Sequence, residues 1–243
     1  MLIMVPGFES FSFQHFFTLA ILASLTIIAI VIGKRVDHKM KIWIGYTIAS
    51  ASFVVMLLDL LLRIYTHTLD ILIDLPLFLC DIVALILPVI ILRENRKWLG
   101  ILYFWAVAGT MQALLTPDLN GGFPTFEFFR YFIMHGGIVS AVIYCVIVMK
   151  INITWRDLWN AVLYTQVYIV GVHIINLVLR SNYSYTMAKP QGATVLDFLG
   201  VWPWYILFSE VVMIILFVLL LLPFLLKPRV EIAEHVTSSG SEN

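Results

Sequence analysis

Cys80 stands beside Asp81 and between Pro76 and Pro88, within the run D-L-P-L-F-L-C-D-I-V-A-L-I-L-P. A thiol becomes a nucleophile when a neighbouring base lowers its pKa or takes its proton, and it then supports acyl-transfer chemistry through a thioester. Two histidines stand at suitable places. His135 follows R-Y-F-I-M, and His173 lies in V-G-V-H-I-I-N with Asn176 three residues on. Gln112 and Glu210 complete the set of polar side chains set in apolar surroundings. Cys145 has only apolar neighbours and reads as packing.

Composition says what holds these residues. Of 243 residues, 61% are hydrophobic and only 12% charged, where a soluble domain is nearer half apolar and a quarter charged. Apolar runs of about 20 residues recur along the whole chain, which is the signature of membrane-crossing helices. The expected fold class is all-α, a polytopic transmembrane bundle in a single domain over residues 1–226. Seven spans are expected, at about 14–33, 42–62, 71–92, 98–116, 131–149, 158–180 and 202–226. Residues 227–243, ending T-S-S-G-S-E-N, read as a disordered tail. The first span lacks a basic leader and is too long for a signal-peptide core, so it is expected to stay.

Basic residues set the orientation. Loops after spans 1, 3 and 5, with the tail, carry eleven Lys and Arg, among them Lys34, Arg35, Arg93, Arg96, Lys97, Arg156, Lys227 and Arg229. The other side carries Arg63, Arg130, Arg180 and Lys189. The bias places the N-terminus outside, the C-terminus in the cytoplasm, and the chain in the cell membrane as a multi-pass protein. Formal net charge is zero and no basic stripe suggests nucleic acid. Two cysteines in no C-x-x-C pattern argue for neither a disulfide framework nor a zinc site, and no cofactor is expected.

On these spans the titratable residues His15, Asp59, Asp74, Asp81, His135, His173 and Glu210 all fall at the midpoint or in the outer half. An ionisable group at the bilayer centre costs about 2.5–3.5 kcal/mol on insertion scales, so such groups face partners or wet cavities. The one-sided placement implies a polar chamber that opens outward. Helical spacing puts Gln166, His173 and Asn176 on one face of span 6, and Trp105, Gly109, Gln112 and Thr116 on one face of span 4. Gly109, Ala113, Gly136 and Gly137 would allow close helix approach. Bland readings stand beside these. Asp59 has Arg63 at i+4, His173 and Asn176 could be an interhelical pair, and Cys80 could be a small hydrophobe. By depth, His135 at about 6 Å and Cys80 at about 14 Å match only if span 5 starts earlier, within 126–129. His173, at about 10 Å, is the other base within reach.

Five runs carry a family pattern: L-P-L-F-L-C-D, L-Y-F-W-A-V-A-G-T-M-Q-A-L-L-T-P-D-L, F-F-R-Y-F-I-M-H-G-G, N-Y-S-Y-T-M-A-K-P and L-G-V-W-P-W-Y. In this order they resemble the YwaF family of bacterial integral membrane proteins. Distant animal relatives of that family include a transmembrane acyltransferase that moves fatty acyl chains between phospholipids. The resemblance implies a catalytic pair at Cys80 and His135, with membrane lipids as substrates. One departure is Phe78, where many bacterial members carry a polar residue. Asp81, Gln112, His173, Asn176 and Glu210 are then expected on the substrate-binding side. The rival expectation is a small-molecule binding or transport protein using the same chamber, with Asp81, Glu210 and His173 in the lead and Cys80 incidental. Nothing in the sequence speaks to oligomeric state.

Overall fold

A computed structural model describes residues 7–190 and 195–226. The predicted tail from 227, with Lys227 and Arg229, lies outside the described residues. Among the described residues seven long helices follow in order: α1 (Phe13–Gly33), α2 (His38–Tyr65), α3 (Leu79–Leu92), α4 (Arg96–Leu115), α5 (Phe126–Val148), α6 (Trp155–Leu179) and α7 (Trp204–Leu225). Their starts are chemically marked. Asp37 accepts from the Met40 N–H at 2.8 Å, Asn95 from Trp98 at 3.3 Å and Thr125 from Phe128 at 3.2 Å, each satisfying an amide that has no partner inside its helix.

Six of these helices are long and apolar enough to cross a membrane. α3 is the exception, and it corrects the expected third span. Instead of a helix over 71–92, only Leu79–Leu92 is helical, 14 residues or about 21 Å against a ~30 Å hydrocarbon core. The preceding stretch is apolar enough to mimic a span but is folded by its aspartates. The Asp70 N–H donates to the Asp74 carboxylate at 2.8 Å, and the Leu72 N–H to Asp70 at 2.9 Å. Pro76 then disfavours helix at Leu75 and offers no N–H of its own. α5 starts at Phe126, five residues before the expected 131.

The centre of the bundle is α3, α4 and α5 with one face of α2. Ala49, Val83, Leu87, Leu102, Phe104, Ile138 and Tyr144 are fully enclosed there. α1, α6 and α7 turn long rows of large apolar side chains outward, as lipid-facing helices do. Close approach depends on two of the expected glycines. A Cβ on Gly136 would run into Leu22, and one on Gly137 into Ser52. A Cβ on Gly109 would meet no neighbour. Gly109 lies instead in a π-helical segment of α4, Trp105–Thr110, which breaks the expected common face. The Trp105 indole turns to α6 and donates to Thr165 at 2.8 Å, whereas Gln112 and Thr116 line a cavity.

Candidate functional site

That cavity, about 440 Å³, lies among the C-terminal ends of α2 and α4 and the N-terminal parts of α3 and α5. Cys80, Asp81, Gln112 and His135 all line it. Cys80 is the second residue of α3, not the middle of a span, and is half-buried. The N–H groups of Leu79 and Cys80 meet no backbone carbonyl among the described residues. The thiol therefore stands at the positive end of a helix, in the turn whose amides have no intrahelical acceptor. Asp81 is the third residue of the helix, and its carboxylate accepts the Phe78 N–H at 3.0 Å. It fixes where α3 begins and hence where Cys80 points.

His135 is buried, 6% exposed. Its Nδ1 lies 2.8 Å from the Tyr131 carbonyl oxygen, so Nδ1 carries the proton and donates there. Nε2 is left as the acceptor, with no hydrogen-bond partner among the described residues. The Tyr131 ring packs on the imidazole, centroids 4.3 Å apart, and its hydroxyl donates to the Ala113 carbonyl at 2.9 Å. One turn of α5 thus clamps the ring against α4. Counted from the opposite end of the bundle, Cys80 lies twelve residues from Leu92 and His135 thirteen from Val148, about 18 and 20 Å, so the two stand at similar depth.

Across the mouth runs a charged chain. Arg63 meets Asp59 at 3.1 Å and Asp74 at 3.0 Å, and Asp59 also receives Arg130 at 3.6 Å. The i+4 pairing of Asp59 and Arg63 read from the sequence is present, but it belongs to this larger network. Arg130 and Tyr131 are the residues that sequence reasoning missed. Both stand in the F-F-R-Y-F-I-M-H-G-G run, five and four residues before the histidine.

The other expected site residues lie elsewhere. Asn176 is fully buried. Its amide donates to the Tyr183 carbonyl at 2.8 Å and to the Thr186 hydroxyl at 2.9 Å, while its oxygen accepts from Tyr183 N–H and Ser181, both at 2.8 Å. His173 joins the same loop through Thr186 at 3.2 Å. Tyr183, itself fully buried, donates to the Ile71 carbonyl at 2.8 Å and accepts the Leu75 N–H at 3.0 Å. Tyr168 donates to the Leu77 carbonyl at 2.9 Å and pairs with Ser184. These side chains hold the segment that leads into Cys80, and Tyr185 of the same loop reaches the cavity. Burial raises the Tyr185 phenol above its ordinary pKa, and the Asp118 charge acts in the same direction. Glu210 pairs with Gln166 at 2.5 Å, between α7 and α6 and away from the cavity. His15, one of the titratable residues placed in an outer half, is buried with its Nε2 2.8 Å from the Leu114 carbonyl.

A bundle of apolar helices around a polar, cysteine-bearing cavity defines a multi-pass membrane protein. Its residues 10–221 match the model of the TMEM164 family, and the chain belongs to that family. No match was found among curated proteins or among solved structures.

Proposed function

We propose that this protein is a cysteine-dependent lipid acyltransferase of the cell membrane, working from the 440 Å³ cavity with its mouth on the outer face. The observation that carries the reading is one cavity holding a thiol in the first turn of a helix and a histidine with its Nε2 unpaired. In the first half-reaction His135 Nε2 takes the Cys80 proton and Sγ attacks the ester carbonyl carbon of a phospholipid. The oxyanion rests on the Leu79 and Cys80 amides, with Gln112 as a further donor. The ester C–O bond then breaks, the leaving alkoxide receives the proton from His135, and the acyl group stays as a thioester. In the second half a lysolipid hydroxyl gives its proton to His135 and attacks the thioester. The C–S bond breaks and the proton returns to the thiol.

Asp81, His173 and Asn176 serve as positioning residues in this scheme, and Glu210 has no part in the chemistry. Arg63 and Arg130, at the mouth, supply the positive charge that a lipid phosphate requires. The bias of basic residues toward the ends after α1, α3 and α5 supports a cytoplasmic location for those ends.

The test is acyl labelling of the purified protein with a labelled phospholipid, alongside lipid mass spectrometry of cells with and without it. Labelling is expected to vanish in Cys80→Ala and Cys80→Ser and to persist in Cys145→Ala, whose thiol sits enclosed in the core. Labelling that survives the loss of Cys80 would overturn the proposal. Solute uptake that depends on Asp81 and tolerates Cys80→Ala would replace it with the transport reading.

A further inference from the structure

At the opposite end of the bundle a second cavity, about 540 Å³, opens between the first turns of α4 and α6. It is lined by Arg96, Lys97, Thr154, Arg156, Asp157 and Asn160, three cations against one carboxylate. The carboxylate is already consumed. Asp157 is buried, takes Arg96 at 3.0 and 2.8 Å, and accepts the Thr154 N–H at 2.8 Å and hydroxyl at 2.7 Å. Arg96 also reaches the Asn152 carbonyl. Lys97 and Arg156 are left over. Among the described residues Lys97 has only the Tyr164 hydroxyl, at 3.3 Å, with its ammonium 5.4 Å from that ring. Arg156 is exposed and makes no hydrogen bond or ion pair among the described residues. The space therefore carries uncompensated positive charge.

Its surroundings are those of a lipid rather than of a free anion. Trp155 and Trp159 stand exposed beside it, the residue type that settles at membrane interfaces. From Trp159 one exposed apolar row climbs α6 through Leu163, Val167, Val170, Ile174 and Leu177, following the i, i+4 and i+3 spacing of a single helix face. A headgroup held by Lys97 and Arg156 would lay its acyl chains along that row. Basic pockets between transmembrane helices are a recognised form of headgroup site.

We propose that this cavity binds the headgroup of an anionic phospholipid, with Lys97 and Arg156 contacting the phosphate and Asn160 adding a donor. It is separate from the cysteine-bearing cavity, and the inference stands independently of the acyltransferase reading. The test uses the full-length protein purified in a neutral detergent. Binding of phosphatidylglycerol is read by native mass spectrometry and by the rise in melting temperature on titration. Phosphatidylcholine and inorganic phosphate serve as the other two arms.

Phosphatidylglycerol alone is expected to raise the melting temperature. The double variant Lys97→Gln/Arg156→Gln should bind it about thirty-fold more weakly, from about fivefold per basic residue near a membrane surface. Both side chains are exposed, so the variant should melt at the unliganded temperature of the parent. Lys34→Gln/Arg35→Gln, at the same end but outside the cavity, should keep full binding, as should Cys80→Ala. An equal response to phosphatidylcholine or to inorganic phosphate would overturn the proposal. So would unchanged phosphatidylglycerol binding in the Lys97/Arg156 variant, or an equal loss in the Lys34/Arg35 control.

Discussion

Replacing Asn176 by alanine removes one side chain and leaves four hydrogen-bonding partners without it: the Tyr183 N–H and carbonyl and the Ser181 and Thr186 hydroxyls. The two hydroxyls can rotate to other partners. The two backbone groups of Tyr183 cannot, because that residue is fully enclosed. An unsatisfied buried polar group costs about 1–3 kcal/mol, so two of them cost about 2–6 kcal/mol. At about 2–4 °C per kcal/mol for a chain of this size, the melting temperature should fall by roughly 10 °C. The damage should not stay in the loop. Tyr183 holds Ile71 and Leu75, and with it goes the geometry of the segment leading into Cys80. Acyl labelling should therefore drop in step with the melting temperature and recover partly when the temperature is lowered, whereas Cys80→Ala should abolish labelling with little change in melting. The assays are differential scanning fluorimetry and labelling at two temperatures. An Asn176→Ala protein that melts like the parent would refute the positioning role and return Asn176 to the set of candidate substrate contacts.

Two further outcomes follow from the same geometry. His135→Asn should keep the fold, since a side-chain amide can still donate to the Tyr131 carbonyl, but remove the Nε2 acceptor. Labelling should fall by about 10²–10⁴-fold, as is typical of a lost general base, measured as the rate of thioester formation. Gly33→Ala should cost about 1–3 kcal/mol through collision of its Cβ with the Tyr144 ring, whereas Gly109→Ala has open space and should be neutral to stabilising, about 0.5–1 kcal/mol; paired melting curves check both.

The membrane class was legible because lipid-facing helices announce themselves by apolar length alone, and six of the expected spans have counterparts within a few residues, apart from the early start of α5. The third misled because hydropathy sums apolar side chains and overlooks turn chemistry. Ile71, Leu72, Ile73, Leu75 and Leu77 outweigh Asp70, Asp74 and Pro76 in a sum, yet the latter three decide the backbone. Helical periodicity failed for a related reason in α4, where the π segment shifts the register between Trp105 and Gln112. Cys80, Asp81, Gln112 and His135 share one cavity; their types and common placement in the outer half pointed that way, while the depths read for Cys80 and His135 did not agree. Asn176 and His173 have the same polar character but spend it on a loop. Composition cannot separate a side chain that holds a ligand from one that holds a backbone. Arg130 escaped notice because a basic residue at a helix start reads as an interface anchor, and only its distance to Asp59 shows the network.

The shortness of α3 bears directly on the proposed chemistry. Cys80 lies twelve residues from the far end of the helix at Leu92, roughly 18 Å above the basic end of the bundle. In a hydrocarbon core of ~30 Å this leaves it roughly 12 Å below the other surface. A phospholipid ester sits near that surface, so the acyl carbonyl and its headgroup must descend to reach the thiol. A charged headgroup enters such depth only where charges and polar atoms receive it. The lining supplies them, with Arg63, Arg130, Asp59 and Asp74 at the mouth and Gln112 and Asp118 on the α4 side. Under the acyltransferase reading these charges have a definite task, to exchange their contacts with one another for contacts with a headgroup. Asp81, spent on the Phe78 amide, keeps the nucleophile at the start of its helix while they do so.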